Sequence, residues 1–185
     1  MNRLSHIAAW IFGLAMTGLS FFVTADVISR KVLGISFEGA DELGGYTLAV
    51  GAALTFIVAL SARAHMRIDV LYGRLSSTPR AVLDWLALVS LAAMAGLLVF
   101  LGQQMLGDSL SYGSTAPTPW ATPLVWPQSI WLLALVLFLA ICLLALVQAT
   151  RLLLTGRTGE LTARFGTSGE SDELKAELAD LERRR

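Results

Sequence analysis

A membrane-length run, Leu43 to Ala62, holds no ionisable side chain apart from Tyr46 and is trapped between acidic Asp41 and Glu42 and basic Arg63, His65 and Arg67. At about 1.5 Å rise per residue, a helix over this run crosses the roughly 30 Å hydrocarbon core of a bilayer. It reads as one oriented transmembrane helix, and its unequal flanks assign the direction. Arginine is retained on the cytoplasmic side whereas carboxylates carry little topological weight, so the Arg63 end is expected to face the cytoplasm.

Three further uncharged runs pass the same length test: Ile7 to Ala25, Trp85 to Gly107, and Gln128 to Thr150. With 55% hydrophobic and only 15% charged residues, the chain has the composition of a polytopic membrane protein rather than of a soluble domain. The expected fold is all-α, with four transmembrane helices. A secretory signal is the competing reading of the first run, since Arg3 precedes it and Val23-Thr24-Ala25 resembles a small-residue cleavage site. The run exceeds the usual signal core of about 7 to 15 residues, which favours a retained helix continuing through Arg30 to about Val32 and stopped by Gly34.

Loop charges agree with an even number of spans and with both termini in the cytoplasm. Arg3 precedes the first span, Arg63, Arg67, Arg74 and Arg80 separate the second from the third, and Arg151, Arg157 and Arg164 follow the fourth, whereas the third connection has no Lys or Arg. Arg30 and Lys31 are the exception, and Asp26, Glu38, Asp41 and Glu42 are close enough in sequence to compensate them. Trp120, Trp126 and Trp131 gather at the other, outer boundary, where indole favours the headgroups and faces lipid. The connection from Gly107 to Gln128 contains Pro117, Pro119, Pro123 and Pro127, and is expected to form a stiff, non-helical cap with Pro127 in the first turn of the fourth span.

Between the second and third spans, Ile68, Leu71, Tyr72 and Leu75 share one helical face, predicting a short interfacial helix ending before Ser76 and holding Arg67 and Arg74 near anionic lipid. Residues 1–155 thus form a four-helix membrane domain, and 156–185 a charged cytoplasmic tail. The stretch from Gly156 to Gly169 reads as a linker. Ser171 then caps a possible short helix with Leu174, Leu178 and Leu181 as a thin apolar stripe.

Few residues carry candidate chemistry. Asp26 and Arg30, four apart near the outer end of the first span, read as a structural ion pair or as a mark of an ion path. Glu42, with Asp41, stabilises the positive end of the second helix, contacts another subunit, or meets the Arg30 region. Gly45, Ala49 and Ala53 recur every four residues, so a small face can receive a helix of this chain or of a partner. His65 and Asp69 can meet as a hydrogen-bonded hinge. A metal or haem role would need further ligands, and His6 is the only other histidine. The lone Cys142 excludes an intramolecular disulfide and is expected to pack inertly.

No catalytic set, phosphate loop or basic nucleic-acid stripe is present in the sequence, so neither an enzyme nor a cofactor is expected. A membrane anchor or haem or quinone subunit of a respiratory complex fails on histidine position. A self-sufficient small exporter would need a carboxylate deep in a span. An accessory subunit needs only shape, orientation and lipid anchoring.

Arg30 closing the first span, Asp41 and Glu42 opening the second, Gly51-Ala52-Ala53, and then His65, Arg67 and Asp69 follow one another in an order that resembles the small membrane subunit of a TRAP transporter (tripartite ATP-independent periplasmic transporter), DctQ-type. The likeness runs from Val27 to Pro79 and returns at Thr122 to Pro127, but not after Gly156. It implies a static scaffold in the bacterial inner membrane, partnered by a large membrane subunit that carries substrate and sodium and by a periplasmic substrate-binding protein, with carboxylates as the expected cargo. It also implies a structural or lipid-facing role for Arg30, and for His65 a role in fixing the interfacial helix.

Overall fold

The computed structural model describes residues 3–61 and 75–166. These form five helices: α1 (Arg3–Leu33), α2 (Ala40–Ser61), α3 (Ser77–Tyr112), α4 (Val125–Leu154) and α5 (Thr158–Phe165). Four of them are long and apolar enough to cross a membrane, over Ala9–Leu33, Ala40–Leu60, Ser77–Tyr112 and Val125–Leu154. The chain is all-α and has the architecture of a multi-pass membrane protein. The interfacial helix expected before Ser76, and with it His65, Arg67, Asp69 and Arg74, lies outside the described residues. So does the helix expected after Ser171.

The helix ends follow local chemistry. α1 runs unbroken through Ala25 and stops where Gly34 takes φ +70°, a left-handed conformation that glycine adopts without steric penalty. α4 ends in a Schellman turn: Gly156 is at φ +71°, its N–H donates to Leu153 O, and the Arg157 N–H donates to Leu152 O. Pro127 sits in the first turn of α4, where its missing donor is not needed.

Two expectations are corrected here. The connection beyond Gly107 is helical as far as Tyr112, because Asp108 to Tyr112 contain no proline and extend α3 until Gly113 ends it at φ +61°. The non-helical cap is therefore residues 113–124. The stretch from Gly156 to Gly169 is not all linker, since α5 occupies Thr158–Phe165 and buries Leu161 completely.

The spans pack in a row: α1 on α2, α2 on α4, and α4 on α3, with α5 against the ends of α3 and α4. Three apolar clusters fill the row. Ala53, Val99, Ala134 and Leu135 lie toward the cap, and Ile57, Ala92, Ala95, Phe138 and Cys142 in the middle. Ala81, Leu88, Ala149 and Leu161 lie at the α5 end. Alanine dominates because small side chains let helix backbones approach closely in lipid, where dispersion rather than hydrophobic burial rewards contact.

Candidate functional site

Of the polar side chains that the row buries, Asp26, Ser29, Glu42 and Ser109 lie toward its cap end and Asp84 lies near the α5 end. Asp26, in the last two turns of α1, is 1% exposed. Its carboxylate pairs with Arg30 and accepts from Ser36 Oγ at 3.0 Å and from the Phe37 N–H at 2.6 Å. Arg30 itself is largely exposed, so the ion pair alone contributes little. The buried carboxylate instead works as a folding point for residues 34–39, with Ser29 Oγ donating to Ile35 O at 2.9 Å on the same loop.

Glu42 is 5% exposed and turns toward the cap rather than toward Arg30. It accepts from Tyr46 OH at 2.8 Å, from Thr118 Oγ1 at 2.7 Å and from the Thr122 N–H at 3.3 Å. Trp120 makes the second tie. Its indole N–H donates to Phe37 O at 3.0 Å, its ring edges onto Phe22, and it fills the space left by the missing side chain of Gly39. Any Cβ at Gly39 would stand 2.2 Å from that ring. The cap itself is closed by Ala116 N–H to Thr122 O and Leu124 N–H to Ser114 O.

Each of the two loops contains one non-glycine residue in the left-handed region, Glu38 at φ 58° and Ala121 at φ 48°. Such a residue costs about 1 to 2 kcal/mol and persists where its surroundings hold it. Glu38 follows Phe37, whose N–H is held by Asp26, and Ala121 precedes Thr122, whose N–H is held by Glu42.

The small residues of α2 divide between two faces. Residues four apart advance about 40° around a helix, so a stripe taken in such steps drifts off a fixed face. Ala53 is buried against Val99, Ala134 and Leu135 of the same chain. Gly45 and Ala49 are exposed, together with Leu48 and Ala52, and a Cβ built on Gly45 meets nothing within 4 Å. Among the tryptophans, Trp126 is exposed, Trp120 is half-exposed, and Trp131 is partly buried over Gly102.

Sequence reasoning missed Thr118, Thr122, Phe37 and Gly39, which matter through contacts far along the chain. It also missed Asp84, completely buried in α3 near the α5 end and engaged there. The signal available for Asp84 was a carboxylate next to Trp85 on an apolar helix. Among the described residues no group of three or more His, Cys, Asp or Glu is arranged to hold a metal ion.

Comparison with known proteins gives one result. The family model described as "Tripartite ATP-independent periplasmic transporters, DctQ component" matches residues 19–152, from the middle of α1 to the last turn of α4. No curated protein and no solved structure matches the chain.

Proposed function

We propose that this chain, which belongs to the DctQ family of tripartite ATP-independent periplasmic transporters, is the small scaffold subunit of a secondary transporter that takes up organic acids. It is a transporter subunit and not an enzyme. In this reading it sits in the bacterial inner membrane with both termini cytoplasmic, as four spans over residues 1–155 and a cytoplasmic tail over 156–185. Its partners are a large membrane subunit of the same transporter, which carries the substrate, and a periplasmic protein that delivers it.

The observation that carries the scaffold reading is the state of the two buried carboxylates at the cap end, on α1 and α2. A transport site needs a polar group that can exchange partners with a cargo. Asp26 and Glu42 are buried and each receives three donors from this chain's own loops and helices, so neither is open to a cation, and an organic acid would be repelled by both. The row of helices supports it as well, because it leaves broad apolar faces available to a neighbouring subunit and to lipid.

The docking face is the exposed side of α2 around Gly45, Leu48, Ala49 and Ala52, with Ala53 serving the chain's own core instead. A bulky side chain there separates two backbones and removes many weak contacts at once. Ala49→Leu is expected to reduce co-purification of the large subunit at least about tenfold, which corresponds to ~1.4 kcal/mol. Since Ala49 is exposed within the chain, the variant remains inserted and detectable. Leu97, half-exposed on α3, is the control position, and Leu97→Phe should leave co-purification unchanged. Retention of the complex by Ala49→Leu would move the interface to another face, and failure of any large membrane protein to co-purify with the unaltered chain would refute the scaffold reading itself.

A further inference from the structure

We propose that Glu42 is a positioning residue at the centre of a polar latch that couples the two cap-side loops and thereby sets the alignment of the α1–α2 hairpin against the α3–α4 hairpin. Along the spans, the hairpins meet where Ala53 and Ile57 of α2 face Leu135 and Phe138 of α4. These side chains are apolar, and in lipid their contact gains no hydrophobic drive, so they do little to fix the register of one hairpin on the other.

Three directional contacts between the hairpins lie at the cap end. Thr118 and Thr122 reach back 76 and 80 residues to the Glu42 carboxylate, and Trp120 reaches back 83 residues to Phe37 O. These ties are not independent. The Phe37 carbonyl is aimed at Trp120 because the neighbouring N–H is fixed on Asp26, and the Trp120 ring reaches it only because Gly39 has no side chain. Asp26 thus holds one loop, Glu42 holds the other, and Trp120 joins them.

The left-handed residues add a separate line of support. Glu38 and Ala121 are in a conformation that their side chains disfavour, one in each loop and each next to a backbone N–H bound by a latch carboxylate. Loops free to relax would abandon it, so the latch is what holds both loops in place. The consequence is cooperative: releasing either carboxylate loosens both loops.

Hydrogen exchange on the full chain in lipid nanodiscs tests this. Glu42→Ala is expected to speed exchange at least tenfold at Ala116, Ala121 and Leu124 in the cap and, in the same experiment, at Phe37 in the other loop, which Glu42 does not touch. Glu42→Gln keeps an acceptor for Thr118 and should restore most of the protection. Thr118→Val, which removes one donor at nearly constant volume, should loosen the same two loops to a smaller extent and serves if Glu42→Ala fails to insert. Faster exchange confined to the cap would show that the loops are independent, and unchanged exchange in both would show that the carboxylate holds neither. Either result overturns the latch while leaving the docking test on Ala49 unaffected.

Discussion

Replacing Leu161 with alanine should undock α5. Leu161 is the buried residue of that helix and is fully enclosed, against Ala81 and Leu88 of α3 and Ala149 of α4. Loss of a buried leucine side chain to alanine costs about 2 to 5 kcal/mol, the larger values where the site cannot collapse. Two of the three buried neighbours are alanines that cannot fill the gap, while Leu146, Leu152 and Leu153 pack against the cluster and can close part of it, so a mid-range loss of ~3 kcal/mol applies. An eight-residue helix has no stability of its own in water, so its docking and its helicity are one equilibrium. A loss of that size shifts the docked-to-undocked ratio by roughly a hundredfold, at ~1.4 kcal/mol per factor of ten. Hydrogen exchange reads it directly at two amides that close α5, Leu161 N–H to Arg157 O at 3.1 Å and Gly166 N–H to Thr162 O at 2.8 Å. Both should exchange about a hundredfold faster in Leu161→Ala, with amides in the middle of α3 and α4 unchanged. Undiminished protection at Leu161 and Gly166 would refute the reasoning, since α5 would then be held by something other than this one side chain.

Gly51→Ala should weaken the association of α1 with α2 by about 1 to 3 kcal/mol, the usual range for overpacking, because its Cβ would stand 2.1 Å from the Phe12 ring. A lowered thermal midpoint in detergent, with Gly44→Ala unchanged as the open-space control, is the expected pattern, and equal midpoints would count against a close α1–α2 contact at Gly51. Topology is checked by reporter fusions. Those after Arg80 and after Arg157 should report cytoplasm and one near Ser114 periplasm, and a cytoplasmic signal at Ser114 would overturn the orientation.

The spans were legible in the sequence because hydrophobic length is a local property. Gly34 and Pro127 act within a turn of where they stand, and the structure puts them at a helix stop and a helix start. What escaped depends on residues distant in sequence. Nothing near Glu42 announces that Thr118 will donate to it, and nothing near Gly39 announces the Trp120 ring. The small stripe on α2 was visible as a spacing, but which of its residues face inward depends on where α4 lies, and that split Ala53 from Gly45 and Ala49. The stretch that forms α5 reads as linker because Gly and Thr are weak helix formers, while one buried leucine outweighs that preference once α3 and α4 are in place.

The row arrangement and the internal hydrogen bonds of α1 and the cap have one physical cause. Closing four spans into a bundle brings no hydrophobic gain in lipid, so a row is stable wherever its seams pack well and its exposed faces carry no unmet hydrogen bonds. α1 meets that condition. Thr17, Ser20 and Thr24 are exposed, yet each hydroxyl donates to the carbonyl one turn earlier, at 2.8, 2.9 and 2.7 Å. Their polarity is absorbed by the helix that bears them, and the face they share can lie against hydrocarbon or another protein without desolvation loss. At the cap end the carboxylates are absorbed in the same way by the loops. A chain whose cap-end carboxylates and α1 hydroxyls bond within the chain keeps its broad apolar faces in a fixed relation to each other.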